Sequence, residues 1–239
     1  MEKTVDLLKA ELKRKARPDK AAFFPGYFRA YPGGYGEGDR FLGVVVPDIR
    51  SVARKHADLE LSDVETLLHD AYHECRFLAL AILVQRMKKL SVDSPDARKI
   101  RRLYLSNMEF VNNWDLVDLS CGPILGPAAL RDPSLLLRLS KKKDLWSQRA
   151  SVITNLYLIK HGHCQTALQL SEKFLGHPHD LMHKACGWTL REVGQKDATL
   201  LYAFLDQYAA TMPRTMLRYS IEKLPTKLRS KYMNRKSQA

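Results

Sequence analysis

Cysteine is scarce in this chain and never paired at short range. Cys75, Cys121, Cys164 and Cys186 form no Cys-x-x-Cys, and each lies in or beside an apolar helical pattern, where free thiols are usually buried. That spacing supports neither a disulfide framework nor a zinc site. A long uninterrupted apolar stretch is also missing, and no basic segment followed by an apolar run opens the sequence. Met1 to Leu8 reads instead as an amphipathic helix, so a membrane span and a secretory leader are not expected and the protein is expected to be cytoplasmic. His161, His163, His177, His179 and His183 gather around helix connections without the His-Glu-x-x-His spacing of a metal site. No metal and no cofactor are expected. Strand-type alternation is nearly absent, which argues against a sheet.

Acidic residues are the other deficit. Against 26 Asp and Glu stand 39 Lys and Arg, leaving a net charge of +13 that points to nucleic acid or another anionic surface. Part of the surplus is terminal: Arg214, Arg218, Lys223, Lys227, Arg229, Lys231, Arg235 and Lys236 face only Glu222 after Thr211. Residues 230–239 read as a basic, flexible tail, and residues 1–229 as one domain. With 45% hydrophobic residues, a chain of 239 has ample material for a large core.

From Ser62 onward apolar residues recur at three- and four-residue steps. Breaks are expected at Ser94-Pro95, Gly122-Pro123, Asp132-Pro133, Gly162, His177-Pro178, Met212-Pro213 and Leu224-Pro225. A weak repeat emerges when segments are aligned on Arg76, Asn113, Arg149, Lys184 and Arg218, whose intervals are 37, 36, 35 and 34 residues. An interval of that size fits one helix pair per unit, slightly shorter than a HEAT repeat. Such units stack because none can bury its apolar face alone. The fold class expected is therefore all-α, a right-handed α-α superhelix of HEAT-like repeats. Equivalent helices of a solenoid line one wall, so Arg76, Trp114, Asp118, Arg149, Lys184, Trp188, Arg191 and Arg218 are expected on one concave, basic surface suited to a nucleic-acid backbone. The bland reading of the same set places the cations at exposed helix starts and the tryptophans in gaps between repeats.

Trp114 and Asp118 stand at i and i+4, so an indole and a carboxylate share one helix face. Together they offer a π surface and a negative charge to a cationic guest. Asp115 is the rival carboxylate on the adjacent face, and Asp118 could instead be a structural partner of Asn112 or Arg149. The segment from Tyr31 to Arg40 carries four glycines but follows no strand and contains no Gly-Lys-Ser/Thr ending, so it reads as a loop between N-terminal helices near the ligand, not as a phosphate cradle. Pro47 suits the first turn of the helix that follows Phe41-Leu42-Gly43-Val44.

These blocks are together distinctive. Phe41-Leu42-Gly43-Val44 with the following Pro47-Asp48-Ile49-Arg50, Asn113-Trp114-Asp115-Leu116-Val117-Asp118, Leu145-Trp146-Ser147-Gln148-Arg149-Ala150 and Lys184-Ala185-Cys186-Gly187-Trp188-Thr189-Leu190-Arg191-Glu192 occur in the order found in one family. The chain resembles the AlkD-type alkylpurine DNA glycosylases, DNA alkylation repair enzymes built from HEAT-like repeats. The Gly-rich stretch before Phe41 is longer than that family's corresponding connection. The resemblance implies that Asp118 is the catalytic carboxylate and that Trp114 and Trp188 pack on the sugar and backbone of the lesion-bearing nucleotide. It also implies that Arg149 lies beside that site and that Tyr27 is an aromatic near the duplex. Arg149, Lys184, Arg191 and Arg218 are then expected to neutralise phosphates. The activity implied is hydrolysis of the N-glycosidic bond of positively charged N3- or N7-alkylpurines in duplex DNA, by a monomer acting without a Schiff-base lysine. Two other readings stay open: a HEAT-repeat protein that binds damaged or branched DNA without cutting, and a peptide-binding solenoid, which the charge disfavours.

Overall fold

A computed structural model describes residues 4–235 of the chain. Among the described residues the only strand-like pairing is an isolated bridge between Arg40 and Tyr72. The α-helices are α1 (Thr4–Lys13), α2 (Pro18–Tyr27), α3 (Val46–Lys55), α4 (Leu61–Leu68), α5 (His73–Met87), α6 (Pro95–Ser106), α7 (Trp114–Arg131), α8 (Ser134–Leu139), α9 (Leu145–Ile153), α10 (Asn155–Lys160), α11 (Gln165–Lys173), α12 (Asp180–Lys196), α13 (Ala198–Tyr208), α14 (Arg214–Ser220) and α15 (Thr226–Met233). The chain divides into two compact units, Met1–Ile124 and Leu125–Ala239.

In the first unit α5 is the central helix. Its run Phe77-Leu78-Ala79-Leu80-Ala81-Ile82-Leu83-Val84 is apolar on every side, and all eight residues are buried. A helix apolar all round has no face to offer water, so neighbours must cover it completely. Helices α3 and α4 pack against it, and α1 and α6 also touch it. Helix α1 presents Val5, Leu8 and Leu12 inward at three- and four-residue steps, the amphipathic pattern read from the sequence.

In the second unit α12 takes the central place, touching α9, α10, α11, α13 and α14. Gly187 lets α14 come close: a Cβ there would lie 2.5 Å from the Tyr219 Cβ and 2.6 Å from the Met216 carbonyl oxygen. Of the residues that head the sequence repeat, Arg76 lies in α5, Asn113 directly precedes α7, and Arg149, Lys184 and Arg218 lie in α9, α12 and α14. Within the second unit, α12 sits between α9 and α14, so successive equivalent helices are neighbours.

Most expected breaks are found. Pro95 opens α6 behind a Ser94 cap, Pro213 and Pro225 precede α14 and α15, and Gly162, with φ +91°, follows α10. The break expected at Gly122-Pro123 does not occur, because α7 runs through it. A proline inside a helix forfeits a hydrogen bond and costs about 3 kcal/mol. Here Val117, Cys121, Ile124 and Leu125 are wholly buried around it, and that burial offsets the loss. The division between the units falls beside this proline, after Ile124.

The span 1–229, expected as one domain, takes in the first unit and most of the second. The boundary expected at 229/230 falls inside α15, which continues to Met233. Arg235 then donates to the carbonyls of Leu205 and Asp206 at 3.1 and 2.7 Å, and residues 236–239 of the expected tail lie outside the described residues. All four cysteines are free and buried. Among the described residues no helix is long and apolar enough to cross a membrane.

Candidate functional site

In the first unit the start of α7 is set by Asn113. Its side-chain oxygen accepts from the Trp114 N–H at 2.9 Å, and its backbone carbonyl accepts from Val117 at 3.1 Å. The helix therefore begins with the indole of Trp114 in its first turn and carries Asp118 one turn on, along the same face. Both side chains are half-buried. Asp118 is thus neither turned out to solvent nor sealed in the core. Beneath α7 the Tyr104 phenol is wholly buried and bonded to Ser120 at 3.0 Å. Burial first, and then the nearby Cys121 and Asp118, push its pKa well above 10.

Trp114 leans on an aromatic deck. Phe28 stacks on it with ring centroids 5.6 Å apart, and Tyr27 meets it edge-on at 5.8 Å. Tyr27 is 50% exposed, and it stacks on Phe23, 56% exposed, at 5.5 Å. Below the deck, Phe28 and Phe41 both stack on the imidazole of His73, at 4.7 and 5.2 Å. Phe41 is held by a clamp: the buried Glu74 carboxylate accepts from the N–H groups of Leu42, Gly43 and Val44 at 2.9, 2.8 and 3.2 Å. Gly43 has φ +86°, and a Cβ there would lie 2.3 Å from the Arg17 carbonyl oxygen, so only glycine fits.

His73 is the centre of a buried ion network that the sequence reading missed. Its Nδ1 donates to Asp39 at 3.0 Å and its Nε2 donates to Asp115 at 2.9 Å, an arrangement that requires both ring nitrogens to be protonated. Burial opposes the charge, but the carboxylates of Asp115 and Asp39 outweigh it and raise the pKa from 6.5 to about 9. Asp39 also accepts from Arg76 at 2.5 Å and from Asn112 at 3.1 Å. Burial alone would raise the Asp39 pKa, yet the His73 bond and the Arg76 charge leave it lowered. Two carboxylates and two cations thus balance, and Asp39 of the Gly-rich loop is fixed beneath Trp114's deck. Asp115, the rival to Asp118, is engaged here as a structural partner.

One signal could have exposed the network. Helix α5 opens with His-Glu-x-Arg directly before a run that must be buried on every side, so those polar residues had to be buried and bonded. Arg76 itself was expected on an exposed basic wall. It is buried instead, donating to the Asp70 carbonyl at 2.9 Å as well as to Asp39.

The second unit holds the other expected residues. Arg149 was expected to neutralise a phosphate, but it is 5% exposed and donates to the Leu181 carbonyl at 2.7 Å, near the first turn of α12. A guanidinium so placed orders the protein's own backbone. Lys184 is paired with Asp180 at 2.9 Å, and Arg191 with Glu222 and, at 3.3 Å, with Glu192. Arg218 is exposed, with a 3.4 Å bond to Thr215. Trp188 is half-buried and walls a cavity of about 530 Å³ with Leu156, Ile159, Lys160, Glu192, Gln195 and Lys196. Two of the histidines at helix connections are engaged: His179 caps α12, and His177 bonds Gln148 at 2.8 Å. Among the described residues no cluster of His, Cys, Asp and Glu could hold a metal ion.

Comparison with known proteins bears on this geometry. A family model described as DNA alkylation repair enzyme matches residues 8–224. No curated protein sequence matches the chain. Among solved structures, a predicted DNA alkylation repair enzyme from Enterococcus faecalis superposes with a TM-score of 0.70 at 14% identity, covering 89% of this chain and 98% of that one. At that identity the likeness establishes a shared fold.

Proposed function

The chain belongs to the DNA alkylation repair enzyme family, and from that membership we propose that it is a monofunctional DNA glycosylase hydrolysing the N-glycosidic bond of N3- or N7-alkylated purines in duplex DNA. The observation that carries the reading is the pairing of Trp114 with Asp118 on one face of α7, each half-buried. Alkylation at N3 or N7 places a positive charge on the purine, which weakens the bond to C1′ and makes the base a good leaving group. As that bond lengthens, positive charge passes to the sugar. A carboxylate nearby stabilises the developing cation and orients or deprotonates the attacking water. Partial burial strengthens the effect, because fewer waters screen the charge. No strong general acid and no lysine nucleophile are required.

Trp114 contributes a flat π face to the sugar, worth roughly 0.5–2 kcal/mol on cation–π scales. Its tilt is set from below by Phe28. Trp188 is proposed as the second aromatic that packs on DNA, and Tyr27 as an exposed contact to the duplex. Arg218, which is exposed, is proposed to meet a phosphate; Lys184 and Arg191 would do so by leaving Asp180 and Glu222. Arg149 serves in this reading as a positioning residue through its bond to Leu181. The reaction needs water as its only co-substrate.

The test is release of labelled methylpurines from alkylated duplex DNA by the wild type and by Asp118→Asn, with DNA binding measured in parallel. Release by the wild type that drops at least about 100-fold in the variant, with binding retained, is the expected result. Tight binding by the wild type without release would overturn the enzymatic reading in favour of a protein that recognises damaged or branched DNA without cutting it.

A further inference from the structure

We infer that the Gly-rich loop is a positioning device for the proposed reaction: through Asp39 and His73 it fixes the first turn of α7, and with it the set of Trp114 and Asp118. The inference rests on the glycosylase reading for its purpose, and it gives a task to a loop that the sequence set apart without explaining. The loop is wedged between Phe28 and Asn113. The Gly36 N–H donates to the Arg29 carbonyl at 3.1 Å, and a Cβ on Gly36 would run into the Phe28 carbonyl oxygen and lie 3.0 Å from the Asn113 amide nitrogen. Only a residue without a side chain lets the loop pass between the aromatic deck and the residue that sets the start of α7.

Three ties run from this region to α7. The first is direct: Asn112, two residues before the helix, donates to the Asp39 carboxylate at 3.1 Å. The second passes through the imidazole, whose Nδ1 donates to Asp39 at 3.0 Å while its Nε2 donates to Asp115 at 2.9 Å. The other oxygen of Asp115 accepts from the Leu116 N–H at 2.9 Å, so this carboxylate joins the first turn of α7 to α5. The third runs through ring faces, with His73 stacked on Phe28 at 4.7 Å and Phe28 on Trp114 at 5.6 Å. Trp114 is thus held by its ring and by the residue that follows it, and Asp118 moves with the same turn. A buried set of ions seldom stabilises a fold more than apolar side chains of the same volume do, so what Asp39, His73, Asp115 and Arg76 supply is a fixed geometry.

Geometry matters because the reaction uses an indole and a carboxylate set one turn apart. A misplacement of about 1 Å in such a constellation costs up to about 100-fold in rate. The bonds, not the charge on His73, are what the tie requires. Asp39→Asn keeps an oxygen for Arg76 and Asn112, and its new amide donates to Nδ1 of a neutral His73 whose Nε2 still donates to Asp115, so one negative and one positive charge leave together. Asp115→Asn likewise keeps an acceptor for Nε2. Asp39→Ala and His73→Ala break the link between the loop and α7.

The experiment compares the full-length wild type with Asp39→Ala, His73→Ala, Asp39→Asn and a control, Leu205→Ala, which truncates a wholly buried side chain of α13. Single-turnover release of methylpurine and affinity for undamaged duplex are measured on samples that circular dichroism shows to be folded. Release is expected to fall at least about 10-fold in both alanine variants of the tie with affinity unchanged, and to survive in Asp39→Asn and Leu205→Ala. If His73→Ala and Asp39→Ala do not fold, Gly36→Ala, which displaces the loop and removes no charge, takes their place with the same expectation. Undiminished release in the folded tie variants, an equal fall in Leu205→Ala, or Asp39→Asn as poor as Asp39→Ala would overturn the inference. A second measurement does not depend on catalysis: acrylamide quenching of Trp114 in a Trp146→Phe/Trp188→Phe chain, where it is the sole indole. Quenching is expected to rise with Asp39→Ala and to stay at its starting level with Asp39→Asn. That rise in a wild type that releases no methylpurine would sink the proposed reaction and leave the loop's hold on Trp114 standing, whereas quenching unmoved by Asp39→Ala would overturn the hold.

Discussion

Trp114 and Trp188 sit in repeats of the same family of helices, yet the first leans on Phe28 above a closed set of buried ion pairs, and the second walls a cavity rimmed by Lys160, Glu192 and Lys196. Their cations differ as well. In the second unit Lys184 and Arg191 are answered by the exposed Asp180 and Glu222, while in the first unit Arg76 is answered by Asp39 inside the buried network. A repeat in sequence thus specifies which helix a residue occupies without specifying its electrostatic work. That work is decided by what the neighbouring segments bring.

Breaking the buried network should separate the two units most sharply. His73→Ala leaves Asp39 and Asp115 facing each other's charge without the imidazolium between them, at a cost of about 3–5 kcal/mol in chemical denaturation. His177→Ala, which removes a bond to Gln148 and the acceptor for the His179 N–H from a half-buried ring, should cost about 2 kcal/mol. Equal costs would show that the network is not what distinguishes the first unit.

Titration sharpens the same contrast. Because the His73 pKa is raised on folding, from 6.5 to about 9, its contribution is fully present below pH 6.5 and is lost as pH rises through about 9, amounting to about 3 kcal/mol. Stability measured across that window should fall in the wild type and stay flatter in His73→Ala. His177, whose pKa is lowered by burial and by neighbouring histidines, contributes nothing in that direction. The smallest effect is expected from Arg191→Ala: an ion pair with a half-exposed Glu222 is worth about 0.2–1 kcal/mol in chemical denaturation.

Much of the frame was legible in the sequence. Proline and glycine punctuation located most helix ends, the heads of the 37-to-34-residue interval fell in or directly before helices, and the i, i+4 spacing put Trp114 and Asp118 on one face. Three features were not legible, for a common reason. Arg76 and Arg149 looked like surface cations because their partners are remote: Asp39 is 37 residues from Arg76, and Leu181 is 32 from Arg149. Asp39 looked like one residue of a Gly-rich loop, whereas its carboxylate closes a network with a histidine 34 residues on. Pro123 looked like a break, and only the burial around it shows why the helix continues. Local pattern reports propensity and face; it does not report a charge balance assembled from distant segments.

The most direct measurement sets the two carboxylates of one helix against each other: single-turnover release of methylpurine from alkylated duplex DNA by Asp118→Asn and Asp115→Asn, with unfolding followed on the same samples. The account predicts that Asp118→Asn loses release by about 100-fold or more while remaining as stable to denaturant as its half-exposed position allows, and that Asp115→Asn, deprived of the His73 ion pair, loses stability but still releases base when folded. Release that survives Asp118→Asn and disappears in folded Asp115→Asn would contradict it.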